Sequence, residues 1–260
     1  MINKKGLMAL FAVGAFGISA CGGLLDVENP NNIVEESLGN VSAATSIVNG
    51  AYATVARGHG NMIPVYSTLT DELFWIGSRD AWLQLDQGIM NDAANEFTDG
   101  NFPSVNEGRW MADLAVSSVE GFLADDPGNA DLTVQLARAN LYAGISYMTI
   151  GTMFQDFVFG DKKESGSPVG PANMATVLQQ AVSKLDVAVA NATGNLLTEA
   201  LLVRARAKWE LAAWDSQANP TGTVALISDA GADADAAAAI AAANGDQRVQ
   251  FTYSSGGISN

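Results

Sequence analysis

Three groups of residues have types and spacing that could do chemistry. The first is Cys21, the chain's one cysteine, preceded by Ile18, Ser19 and Ala20. A thiol behind small side chains can be cut free by a peptidase and can accept a diacylglyceryl group. The second is Trp75-Ile76-Gly77-Ser78-Arg79-Asp80-Ala81-Trp82. Sugars stack their C–H faces on aromatic rings, and planar polar groups take their hydroxyls. Trp75, Trp82, Arg79 and Asp80 supply both kinds of group, and a helix would put the two tryptophans on one face. The competing expectation makes both rings core anchors and Arg79–Asp80 a surface pair. The third is His59, the one histidine, which reads as a solvated residue of a glycine-flanked loop.

Other chemistry lacks its groups. No Gly-x-Ser-x-Gly, His-Glu-x-x-His, Walker A or dinucleotide glycine motif is present. One histidine and one acylated cysteine argue against Cys/His metal sites and Cys/His nucleophile pairs. Carboxylates are abundant, but no spacing singles out a glycosidase pair. The expectation is therefore a protein that is not an enzyme, with no metal and no cofactor.

Upstream of Cys21, Lys4 and Lys5 precede the uncharged stretch Gly6 to Phe16. A basic n-region, a short apolar h-region and small residues before the cut describe a secretory signal over residues 1–20. The apolar stretch is shorter than the ~20 residues that span a bilayer. Ile18-Ser19-Ala20-Cys21 resembles a bacterial lipobox; the alternative is an ordinary signal peptide with a cysteine nearby. Residues 21–32, with Gly, Asn and Pro, read as a tether.

Losing Lys4 and Lys5 with the signal would move the formal charge from −15 to −17. Such a surface repels nucleic acid and anionic head groups. Membrane attachment would rest on acyl chains at Cys21.

Residues 33–260 must then position the site, and their pattern is mainly helical. Val41, Ala44, Ile47, Val48 and Ala51 recur at helical spacing, and Gly58-His59-Gly60-Asn61 reads as a break. Asn61 to Asp99 predicts short helices and loops. After Pro103, Met111, Leu114, Ala115, Val119 and Phe122 make a stripe, Asp125 to Asn129 a turn, and Leu132 to Ile150 a second helix. After Pro171, Val177 to Val189 form a third stripe and Leu202, Ala205, Trp209 and Ala212 a fourth. Trp110, Trp209 and Trp214 read as core. Two helix–turn–helix pairs opening 68 residues apart, at Pro103 and Pro171, fit two tetratricopeptide lengths of ~34 residues. Ala230 to Asn244 predicts a helix ended by Gly245, with a low-complexity tail as the alternative. Arg248 to Ser254 alternates like a short strand.

In order, five segments resemble the SusD-like (SusD/RagB) nutrient-uptake lipoproteins. They are Leu25-Asp26-Val27-Glu28-Asn29-Pro30-Asn31, Val48-Asn49-Gly50-Ala51-Tyr52-Ala53, and Thr70-Asp71-Glu72-Leu73. The fourth runs from Leu136-Ala137-Arg138-Ala139-Asn140-Leu141-Tyr142 to Phe154-Gln155-Asp156. The fifth is Val177 to Ala188 followed by Leu202-Val203-Arg204-Ala205-Arg206-Ala207. Gln155 and Phe157-Val158 depart from the family pattern. The chain is also much shorter than typical members, as if the C-terminal half were missing.

The resemblance implies a mainly α fold with a tetratricopeptide-like helical-hairpin scaffold, irregular loops and at most a short C-terminal strand. It also implies an outer-membrane surface lipoprotein that captures oligosaccharide or peptide. A SusC-like TonB-dependent transporter would be its partner. The alternative is a helical-repeat scaffold lipoprotein without a small ligand. A hydrolase would need two facing carboxylates in a cleft. Exposure of Trp75 and Trp82 beside Arg79 and Asp80 would favour capture, and burial in helix contacts would favour the scaffold.

Overall fold

Apolar residues at spacings of three and four dictate long amphipathic helices, and these dominate the computed structural model. The structure describes residues 38–90, 92, 94–160, 164–218 and 226–252. Cys21, the expected signal of residues 1–20 and the expected tether of residues 21–32 lie outside them. The chain divides into two units, Met1–Leu38 and Gly39–Asn260.

The helices of the second unit are α1 (Ala44–Leu69), α2 (Asp80–Asp86), α3 (Glu96–Asp99), α4 (Asn101–Asp125), α5 (Ala130–Met153), α6 (Ala175–Asn191), α7 (Gly194–Ala218) and α8 (Ala230–Ala242). Short 3₁₀ turns at Val41–Ala43 and Pro171–Asn173 precede α1 and α6. The expected mainly α helical-hairpin architecture is present.

Successive long helices pack antiparallel, and small residues set how closely. A Cβ on Gly58 of α1 would meet the Ser104 carbonyl oxygen of α4 at 2.8 Å, and one on Gly108 would meet that of Thr54 at 3.1 Å. Rising numbers on one helix thus face falling numbers on the other. Likewise Gly144 and Gly151 of α5 face Leu185 and Leu178 of α6. The middle of α5, from Ala139 to Tyr147, is buried on all sides, which makes it the axis of the core. Asp113 of α4 accepts from the Tyr147 hydroxyl of α5 at 2.8 Å and pairs with Lys184 of α6 at 3.7 Å. Burial, then the Asp113 carboxylate, pushes the Tyr147 phenol well above its usual range.

Local signals end and start these helices. Gly128 takes φ +96° in the Asp125–Asn129 turn, and the Asn129 side chain accepts from the Leu132 N–H at 3.1 Å, capping α5. The last helix forms as expected from Ala230. Asp229 accepts from the Ala232 N–H at 2.7 Å, the helix stops at Ala242, and Gly245 follows with φ +86°. Asp235 of α8 receives both Nε (2.8 Å) and Nη2 (2.6 Å) of Arg204 on α7, and Lys208 Nζ at 2.7 Å. Burial opposes the Asp235 charge, but the Arg204 and Lys208 bonds outweigh it and hold the carboxyl below its usual range.

Four expectations are corrected. The break at Gly58–Asn61 does not occur: α1 runs through it, because Ala51, Val55, Gly58, Met62 and Val65 continue the buried stripe. Contacts with α4 outweigh the low helix propensity of glycine, a difference of ~1 kcal/mol per residue. His59 is consequently no solvated loop residue. It is largely buried, its Nδ1 sits 2.9 Å from Thr149 Oγ1 of α5, and burial lowers its pKa. On α7 the buried positions are Thr198, Ala200, Leu201, Val203, Ala207 and Ala213 rather than Leu202, Ala205, Trp209 and Ala212. Helices α5, α6 and α8 all contact α7, so its buried face follows its neighbours, not its largest residues. Trp209 is 41% exposed, with the Arg206 guanidinium 5.9 Å from its ring centre; Trp110 and Trp214 are half-buried. Finally, Arg248 to Thr252 form no strand. No neighbouring strand among the described residues offers a ladder, and the segment instead packs Phe251 on Tyr52 at 5.4 Å and on His59 at 5.8 Å.

Candidate ligand-binding site

Between Thr70 and Asn101 the chain has few long apolar runs, and only the short helices α2 and α3 form. Asp71, at φ +61°, turns the chain out of α1. The loop then folds back: the Trp75 N–H donates to Asp86 Oδ1 at 2.9 Å. Leu85 is the fully buried residue of α2. Asn95 ties the two short helices together, capping α3 through the Phe97 N–H (3.1 Å) while its amide donates to the Ala81 carbonyl (2.9 Å).

This folding brings the aromatic residues into a stack. Trp75 and Trp82 lie nearly parallel, with ring centres 5.7 Å apart and planes 22° apart. Trp82 also meets Phe97 at 4.4 Å, and the Arg79 guanidinium sits 4.9 Å over Phe97. The expected pairing of Arg79 with Asp80 is absent; Arg79 binds Glu96 at 2.6 Å. Asp80 is exposed in the first turn of α2. Trp75 precedes that helix, so the two indoles meet by loop folding and not by helical spacing. Gly77 lies against the other part of the Trp75 indole: a Cβ there would come within 2.6 Å of Cη2. Both rings are half-buried, between the two arrangements that the sequence left open.

A cleft of about 350 Å³ opens beside this stack. Gly60, Asn61, Pro64 and Val65 of α1 form one wall, and Trp82, Glu96, Phe97, Gly100 and Asn101 the other. Of the four residues singled out in the sequence, Trp82 alone lines it. Asn101 is 5% exposed, and its Nδ2 has no hydrogen-bond partner. Such a buried donor is costly unless something accepts from it. Asn61 donates weakly to Ser104 Oγ at 3.4 Å. Pro64 has no N–H to offer the Gly60 carbonyl four residues back, and both residues line the cleft.

The arrangement therefore offers the Asn61 amide, the Glu96 carboxylate and aromatic edges around a small open volume, with the unpartnered Asn101 nitrogen buried in the wall. That set suits a neutral ligand rich in hydroxyl or amide groups. Asn61, Glu96 and Asn101 escaped the sequence reading, since nothing in their spacing links them. Pro64 four residues after Gly60 was the one local signal.

Among the described residues, no group of three or more His, Cys, Asp or Glu side chains is placed to hold a metal ion. No described helix is long and apolar enough to cross a membrane. No protein-family model matches the chain, and no curated protein matches it significantly.

Proposed function

We propose that this chain is a SusD-like surface lipoprotein of the outer membrane. It is acylated at Cys21, captures an oligosaccharide or peptide, and delivers it to a TonB-dependent transporter. The observation that carries the reading is the cleft beside Trp82, with an unpartnered Asn101 amide at its wall. Capture and release need no covalent step. The aromatic stack supplies one wall, Asn61 and Glu96 supply hydrogen-bonding groups, and the Asn101 donor is buried in that lining.

Contact between two of the segments behind the family resemblance adds support. Arg138 donates to Asn49 Oδ1 at 2.9 Å, and the Tyr52 and Tyr142 rings lie 5.3 Å apart. Asn49-Gly50-Ala51-Tyr52 and Arg138 to Tyr142 thus form one polar and aromatic contact between α1 and α5.

The test has two parts. Cys21→Ala should move the protein out of the membrane fraction; its persistence there would sink the lipoprotein claim. A C-terminal tag on the wild type should then recover a TonB-dependent barrel from gently solubilised outer membranes.

The second reading is a helical scaffold lipoprotein without a small ligand. It is favoured by the aromatic stack itself, because Trp82 already packs against Trp75 and Phe97. Recovery of the tagged protein alone, or with assembly factors, would support it.

A further inference from the structure

Beside the cleft, the chain from Leu73 to Met90 exposes an unusual set of large apolar side chains. Phe74 is 79% exposed, Ile76 85% and Met90 71%, and Leu73, Leu83 and Ile89 are exposed as well. They belong to one folded piece. The Trp75 N–H binds Asp86, and Trp75 stacks on Trp82, so the loop bearing Phe74 and Ile76 lies along α2. Because α2 has seven residues and turns Leu85 into the core, it has no second buried face for the others. Grouped exposure of this kind marks an interaction surface.

Charge selects the occupant. From Thr70 to Asp99 the sequence carries seven acidic residues, Asp71, Glu72, Asp80, Asp86, Asp92, Glu96 and Asp99, against the single base Arg79. Arg79 is already paired with Glu96. A second copy of this surface would set acid against acid. An anionic leaflet would be repelled, since surface-binding segments need Lys and Arg. A protein with an apolar hollow edged by lysine and arginine matches both the apolar centre and the acidic border.

We infer that Leu73, Phe74, Ile76 and Met90 form the docking surface for such a protein, with Asp71, Glu72 and Asp80 steering the approach. Trp82 lines the cleft and its neighbour Leu83 is exposed, so the docked partner stands at the cleft's edge. If the partner is the transporter, the inference rests on the uptake reading, and docking sets capture and delivery side by side.

The experiment uses the full lipidated chain in its native membrane. A photoreactive benzoylphenylalanine replaces Phe74, and in a separate strain Trp209 of α7. The Phe74 probe should capture one protein, at a peptide bordered by Lys or Arg. The Trp209 probe should not capture it. Ile76→Asp should cut the yield about tenfold, and raising salt from about 50 mM to about 500 mM should weaken it further. Capture of lipid alone, of a second copy, or of nothing would overturn the docking surface, as would an unchanged yield from Ile76→Asp. The two readings separate cleanly. A barrel that co-purifies but never crosslinks from position 74 removes the surface and leaves the uptake reading standing. A basic-edged partner that is no transporter keeps the surface and removes the uptake reading.

Discussion

Gly144 of α5 packs directly against Leu185 of α6: a Cβ at position 144 would stand 2.7 Å from Leu185 Cδ2. Leu185 is itself fully buried, so it has no room to retreat. The packing of these two helices at this point therefore depends on a missing side chain.

Gly144→Ala should accordingly destabilise the fold by about 1–3 kcal/mol, the usual cost of overpacking. Gly121 of α4 is the control. It is exposed and helical, and nothing lies within 4 Å of its Cβ position. Gly121→Ala should stabilise by about 0.5–1 kcal/mol. Thermal or urea denaturation of both variants checks the pair, and equal effects would contradict the packing argument.

Asp235 clamps α8 to α7 through Arg204 and Lys208. Asp235→Asn should lower stability by about 1.5–3 kcal/mol at neutral pH, as expected for hydrogen bonds to a charged group. The folded carboxyl titrates below its unfolded value. Its contribution is thus fully present above the unfolded pKa of ~3.9 and is lost as pH falls through the folded value. Melting curves of the wild type and Asp235→Asn should converge as pH drops below about 4. A gap that stays constant to lower pH would assign the stability elsewhere.

His59 shifts the other way. Burial between α1 and α5 lowers its pKa, so the folded state resists protonation that the unfolded state accepts. Stability should be complete above the unfolded pKa of ~6.5 and should decline as pH falls from there towards the folded value. In His59→Phe that slope should vanish. Denaturation midpoints between about pH 8 and pH 5 read it directly, and an unchanged slope would move the effect to another group.

Asn101 should separate binding from stability. Its amide nitrogen has no partner within the protein, so Asn101→Ala removes an unsatisfied donor and should leave stability unchanged or slightly raised. A ligand that accepts from that donor should lose about five- to twentyfold in affinity, equivalent to about 1–2 kcal/mol. Calorimetry with neutral oligosaccharides and short peptides, beside melting curves, measures both quantities. Unchanged affinity for every binding compound would remove Asn101 from the site.

Much of the scaffold was legible because its signals are local. Apolar stripes after Pro103 and Pro171, the turn from Asp125 to Asn129 and the alanine-rich run from Ala230 each specify an element within a few residues of chain. Helix periodicity and caps act over one or two turns, so a linear reading captures them.

What the sequence by itself determined is therefore the helical-hairpin architecture, the acidic charge and the aromatic segment around Trp82. Tertiary structure alone decided that α1 continues through Gly58, because the contact that holds it comes from Ser104 and Val105, more than 40 residues away. It decided which face of α7 is buried, because three neighbouring helices share that helix. It also decided the cleft. Asn61, Trp82, Glu96 and Asn101 come from four places in the chain, and no periodicity relates them. Their meeting depends on a loop folding back onto Asp86 and on the close α1–α4 crossing that the glycines permit. Those contacts join distant residues, and a pattern read along the chain records only neighbours.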